Sequence, residues 1–196
     1  SFVLPEPRLW WPNGYGEQPL YTVRVSAVNN YGRRDEKQIV TGIRTVRLEQ
    51  PAVGQDERLY YFTVNGKKIY CKGMDFIQTD IIYARAKDEL YDRILTAARD
   101  AHFNMMRFWH GSVCYERDYA YELCDRYGIL VHQGFAFECG AYPDHLPGFL
   151  SLVEKEAEWQ IRRLRSHPCI ALWCGNGECN GFLANYEKSR NWDHMD

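Results

Sequence analysis

The chain has 196 residues, 45% hydrophobic and 15% aromatic, enough to bury a sizeable core in one or two globular domains. A net charge of −2, a pI near 6.3 and scattered Lys and Arg leave no basic surplus of the kind that tracks phosphate backbones, which argues against a nucleic-acid partner. No apolar run approaches the roughly 18 to 20 residues that a membrane helix needs, so no membrane partner is expected.

The opening SFVLPEPRLW lacks the charged-then-apolar order of a signal peptide and reads like sequence from the middle of a protein, so it says nothing about the compartment. Residues 21–30, YTVRVSAVNN, and 37–50, KQIVTGIRTVRLEQ, alternate apolar and polar side chains like half-buried antiparallel strands joined by the turn-forming YGRRDE. That is sandwich-like, and too short for a full sandwich of about 100 residues. PAVGQDE, with its Pro and Gly punctuation, opens a polar linker over 51–60, where a domain boundary is expected.

Past the linker, Asn65-Gly66 between two β-prone runs predicts a hairpin. Strands and helices then alternate. DELYDRILTAARDA (88–101) predicts a helix with Leu90, Ile94, Leu95, Ala98 and Ala101 on one face and Asp88 available as N-cap. NMMRFW (104–109) is a short strand. ERDYAYELCDRYG (116–128) is a helix with a stripe of Tyr119, Ala120, Leu123, Cys124 and Tyr127 that stops at Gly128. ILVHQGFAF (129–137) is the next strand. FLSLVEKEAEWQIRRLRSH (149–167) is a helix with basic last turns, ended by Pro168, and CIALWC (169–174) is the fourth strand. Four strands separated by three helices imply βαβ units and a parallel sheet, which either a doubly wound sheet or a (β/α)₈ barrel would satisfy.

In both folds the chemistry sits at the carboxyl ends of the strands. Asp75 and Asp80 follow the first strand, Arg107 and Trp109 close the second, Glu138 follows the third, and Asn176 and Glu178 follow the fourth. Carboxylates, an arginine and tryptophans suit a sugar, because aromatic faces stack on its C–H surface while acids bind hydroxyls or protonate a leaving oxygen. The plainer readings are that Trp109 and Trp173 are core and that Arg107 is paired with a neighbouring carboxylate. The seven cysteines (Cys71, Cys114, Cys124, Cys139, Cys169, Cys174, Cys179) form no Cys-x-x-Cys pair and read as small buried hydrophobes, and the six histidines show no one-turn spacing, so no metal is expected.

LWWPNGYGEQPLY (9–21), GIRTV (42–46), FTVNGKKIYCKGMDFIQTD (62–80), residues 104–137 and RLRSHPCIALWCGNGE (163–178) resemble, in order, the retaining glycosidases of glycoside hydrolase family 2, and within it the β-mannosidases. The resemblance implies that residues 1–50 are the last strands of an immunoglobulin-like β-sandwich and that 61–196 are the first half of a (β/α)₈ TIM barrel, a piece of a longer polypeptide. It implies that Glu178, in the position of the acid of the family's Gly-Asn-Asn-Glu motif, is the catalytic acid/base, and that Trp109 and Arg107 line the subsite of the cleaved sugar. Asp80 would touch sugar hydroxyls. The substrate would be a terminal β-linked carbohydrate, no cofactor is needed, and a secreted, periplasmic or lysosomal setting fits better than the cytoplasm.

This mechanism requires two carboxylates, and only the first is identifiable, so the nucleophile is expected outside this chain and the chain alone is expected to be inactive. Gly177 stands where the family has an asparagine that would hold the 2-hydroxyl, with Asn176 as a partial substitute. His110 and Ser112 replace two glycines, Gly134 replaces an aspartate, and Met74-Asp75-Phe76 replaces Ala-Asn-Trp. These departures leave open a glycosidase of other family specificity (β-galactosidase, β-glucuronidase or exo-β-glucosaminidase), a carbohydrate-binding homologue without turnover, and a use of Glu138 as the partner carboxylate of Glu178.

Overall fold

The computed structural model describes residues 3–109 and 115–181. Its first element is an antiparallel hairpin of β1 (Tyr21–Val28) and β2 (Arg34–Thr41), in register from Tyr21↔Thr41 to Val28↔Arg34. Both strands are more exposed than the expected half-burial, with Val25, Val28 and Val40 open to solvent.

The stretch 37–50 is not one strand. It breaks at residues 42–45, and β3 (Val46–Glu49) joins a different antiparallel sheet with β4 (Tyr61–Val64) and β5 (Lys67–Ile69). The break has local causes. A Cβ at Gly42 would lie 2.9 Å from the Pro168 ring, and the Arg44 guanidinium donates to the carbonyls of Pro168 (3.0 Å) and Ile170 (2.5 Å). Residues 51–60 therefore run between two strands that pair with each other, with a bridge Ala52↔Arg58 inside the excursion. The β4–β5 turn is the expected Asn65-Gly66, both residues at positive φ (49° and 77°), the twist a two-residue hairpin requires.

The rest is an α/β unit. β6 (Gly73–Phe76), β7 (Met105–Phe108), β8 (Leu130–Gly134) and β9 (Ile170–Cys174) form one parallel sheet in that order. They are connected by α1 (Asp88–Asp100), α2 (Asp118–Tyr127) and α3 (Pro147–Leu164). Asp88 is not the N-cap of α1. Lys87 is, and Asp88 lies in the first turn, paired with Arg117 at 2.5 Å. The buried face of α1 is Tyr91, Leu95 and Ala98, whereas Ala101 is exposed. Gly128 closes α2 in the left-handed conformation, as expected. α3 buries only Gln160 and Leu164 and leaves Leu150, Leu152 and Trp159 open.

Strand alternation sorts the sheet into two faces. Met106, Phe108, Val131 and Ile170 join the helices in one buried cluster. Asp75, Arg107 and His132 are register neighbours in a polar row. The segment 9–16 packs against this unit. Trp10 is fully buried, its indole donates to the Asp125 carbonyl at 2.7 Å, and Asn13 Nδ2 donates to the carbonyls of Arg99 and Phe103.

Candidate active site

The carboxyl ends of β6 to β9 bring Asp75, Arg107, Trp109 and Glu138 into one cluster of ion pairs and hydrogen bonds. Arg107 reaches Asp75 at 3.6 Å and Glu138 at 3.3 Å. Arg107 is thus paired with carboxylates on both sides. The Trp109 side chain also donates to Glu138. The Glu138 side chain is only 1% exposed. Burial pushes its carboxyl above the ordinary carboxylate range, Arg107 and Trp109 oppose that shift, and the charges of Glu178 and Asp75 reinforce it.

Glu178 joins the cluster through the backbone. Glu138 and Gly177 form a parallel bridge that continues the β8–β9 pairing past the strand ends, with Gly177 N–H donating to Phe137 O and Cys139 N–H donating to Gly177 O, both at 2.9 Å. The exposed Glu178 carboxylate accepts from the Cys139 thiol at 3.1 Å. Cys139 is itself exposed, a departure from the reading of the cysteines as buried; Cys124, Cys169 and Cys179 are buried as expected, and Cys114 lies outside the described residues. Both Glu178 (φ 60°) and Cys139 (φ 46°) occupy the left-handed region, which costs a non-glycine residue on the order of 1–3 kcal/mol and clusters at functional sites.

Two expected site residues stand differently. Asp80 is held by Arg85, whose guanidinium reaches it at 2.9 and 3.2 Å, and by the Ile82 N–H; these bonds, Arg85 first, hold its carboxyl below the usual range. Asn176 is exposed, accepts from the Cys174 thiol through its carbonyl, and lines a cavity of about 350 Å³ with Phe137, Tyr142, Phe149 and Cys179. Trp173 stacks on Phe135 at 5.4 Å against the core. His110 and Ser112 lie outside the described residues. A larger cavity of about 800 Å³, between Tyr115, Glu156 and Trp159, contains none of the expected site residues.

Sequence reasoning missed Glu116. It is 1% exposed and accepts from Tyr91 Oη at 2.5 Å, Thr79 Oγ1 at 3.1 Å and Thr79 N at 3.2 Å, and burial raises its carboxyl. It anchors the loop that follows β6. Also unforeseen is the group Asp125, His167 and Cys169, whose ligand atoms lie within 4.8 Å of one another. Its carboxylate is engaged on both oxygens, by His167 Nδ1 at 2.6 Å and Cys169 N–H at 3.0 Å, and burial pushes the Cys169 thiol well up. The group ties α2 to the turn before β9 and offers a cation no free carboxylate oxygen.

A parallel α/β sheet that gathers acids, an arginine and a tryptophan at its carboxyl edge is built like a glycosidase. No family model matches the chain. It is 41% identical over 170 residues to a β-mannosidase of Rattus norvegicus, covering 86% of this chain and 19% of the relative, and 38% identical over 178 residues to β-mannosidase B of Emericella nidulans, covering 91% and 21%. Among solved structures, a β-D-mannosidase from Dictyoglomus thermophilum superposes with a TM-score of 0.80 at 39% identity, covering 96% of this chain and 24% of that one. An exo-chitosanase from Amycolatopsis orientalis shares the fold at 19% identity and a TM-score of 0.78. The chain is β-mannosidase-like, of the glycoside hydrolase family 2 kind, along nearly all of its length. It spans about a fifth of the length of the curated relatives it matches.

Proposed function

We propose that the chain is the acid/base-bearing part of a retaining exo-β-glycosidase that acts on terminal β-mannosides. In this reading the β1–β2 hairpin ends an immunoglobulin-like sandwich, β3 already belongs to the next sheet, residues 51–60 are an excursion between the paired β3 and β4 and not a linker between domains, and β6 to β9 begin a (β/α)₈ barrel. The observation that carries it is the place of Glu178, exposed four residues past the end of β9 and joined to Glu138 through the bridge at Gly177, in a chain 41% identical to a β-mannosidase.

In the first step Glu178 gives its proton to the glycosidic oxygen as the C1–O bond breaks and a nucleophilic carboxylate attacks C1. In the second, Glu178 takes a proton from water as it attacks C1, the bond from C1 to the nucleophilic carboxylate breaks, and the sugar and the free carboxylate are released. Trp109 supplies an apolar face, and Arg107, Asp75, Asp80 and Asn176 supply the polar contacts. Glu138 is enclosed and tied to Arg107 and Trp109, which supports a nucleophile from another part of the polypeptide. Glu178→Gln in the complete polypeptide tests the acid role. The kcat on poor leaving groups should fall by about 10²–10⁴-fold, and far less on activated aryl mannosides. Equal loss on both would contradict it.

A further inference from the structure

Gly177 directly precedes the candidate acid, and the space where its side chain would project is filled. A Cβ built there lies 1.5 Å from Glu138 Oε2, 2.4 Å from its Cδ and 2.7 Å from its Oε1, far inside any van der Waals contact. Any side chain at this position must displace the Glu138 carboxylate from where it lies. The Glu138 side chain is 1% exposed, so it is shut away from a sugar lying in the cleft.

The carboxylate has the geometry of a joint. On one side it accepts from Arg107 Nη2 and from the Trp109 side chain, both at the end of β7. On the other it rests on the Gly177 backbone at the end of β9. Its flanking residues grip the same backbone, Phe137 O accepting from Gly177 N–H and Cys139 N–H donating to Gly177 O. Beyond that grip Glu178 is held at φ 60°, with the Cys139 thiol on its carboxylate. A backbone held in that region persists only where its surroundings over-determine it, and residues 137–139 are those surroundings. Arg107 compensates the cost of enclosing the charge, since a buried carboxylate is tolerated when paired and hydrogen-bonded.

We infer that Glu138 is a positioning residue: through Gly177 on one side and Arg107 and Trp109 on the other, it sets the distance between the proton-delivering Glu178 and the sugar-binding end of β7. The inference rests on the reading of Glu178 as acid/base. Glu138 and Gly177 then act as one unit, in which the glycine exists to admit the carboxylate. Loss of the joint leaves the chemistry in place and lets the acid drift, and a displacement of about 1 Å is enough to cost about 10²-fold in rate.

The test uses the complete polypeptide and two aryl β-mannosides, one with a poor and one with an activated leaving group. Glu138→Ala should lower kcat on the poor leaving group by about 10²-fold and at least about tenfold less on the activated one, because only the first needs the proton. Glu138→Gln keeps the shape and the acceptor for Trp109, so it should recover most of the loss. Gly177→Ala, which drives a methyl into the carboxylate, should show the same dependence on the leaving group. The double variant Glu138→Ala/Gly177→Ala should lose at least about tenfold less than the product of the single losses, because the methyl enters vacated space.

A loss equal on both substrates, or single losses that multiply, would overturn the positioning role while Glu178→Gln still showed its own dependence. A Glu178→Gln variant without that dependence removes the acid, and the inference with it. Should Glu138→Ala fail to fold, a Glu138→Gln variant as impaired as Gly177→Ala would be equally decisive against it.

Discussion

Glu116 shows how a single buried acid can hold a loop. Its three hydrogen bonds come from Tyr91 on α1 and Thr79 after β6, so one carboxylate fixes the path between the first strand of the sheet and its helix. Burial outweighs those bonds and raises the carboxyl above its ordinary value of 4.5. The folded state then holds its proton more tightly than the unfolded chain. The associated stability is fully present below pH 4.5 and is lost as pH rises through the folded value. Glu116→Gln has no such titration. Thermal unfolding from pH 4 upward should therefore show the wild type losing ground to the Gln variant across that window. A difference independent of pH would contradict the raised value.

At the scale of elements, the glycines of the two turns allow a graded expectation. Gly66 (φ 77°) has nothing within 4 Å of a hypothetical Cβ, so Gly66→Ala should cost only the backbone term, about 1 kcal/mol. At Gly128 (φ 71°) the same Cβ would lie 2.5 Å from Asn13 N, so Gly128→Ala should cost roughly 1–3 kcal/mol more, read from the denaturation midpoints. Equal costs would contradict the packing of residue 13 on the α2 terminus.

These two turns were legible in the sequence because their signal is local: Asn-Gly between β-prone runs, and a glycine after the last periodic residue of a helix. The alternation of strands and helices over 73–174 was legible for the same reason, and it placed Arg107, Trp109, Glu138 and Glu178 at one edge. The split of residues 37–50 was not legible, because the apolar alternation runs on through Gly42–Thr45 while Pro168 and Ile170, more than 120 residues away, decide the break. Glu116 was missed for a like reason. Its partners lie 25 and 37 residues upstream, and nothing beside it marks it as buried. Gly177 read as a lost contact until the enclosed carboxylate of Glu138 showed what the glycine makes room for.

Over the whole molecule, the N-terminal segment and the α/β unit are built into each other. Trp10 is sealed against Asp125 O on α2, Asn65 Nδ2 of the hairpin donates to Trp10 O, and Arg44 caps the turn into β9. Arg44 thereby ties the first fifty residues directly to the start of β9. Among the described residues, Glu178 is the one accessible glutamate at the carboxyl edge of the parallel sheet, since Glu138 is enclosed. A retaining mechanism then demands a second carboxylate from elsewhere in the polypeptide.

The most direct test is to trap the glycosyl-enzyme. The complete polypeptide is incubated with a 2-deoxy-2-fluoro-β-mannosyl fluoride, and the labelled residue is located by peptide mapping. The label should fall on a glutamate outside residues 1–196. A sugar found on Glu138 or Glu178, or no label on a protein that hydrolyses mannosides, would contradict the assignment of Glu178 as acid/base and of Glu138 as its support.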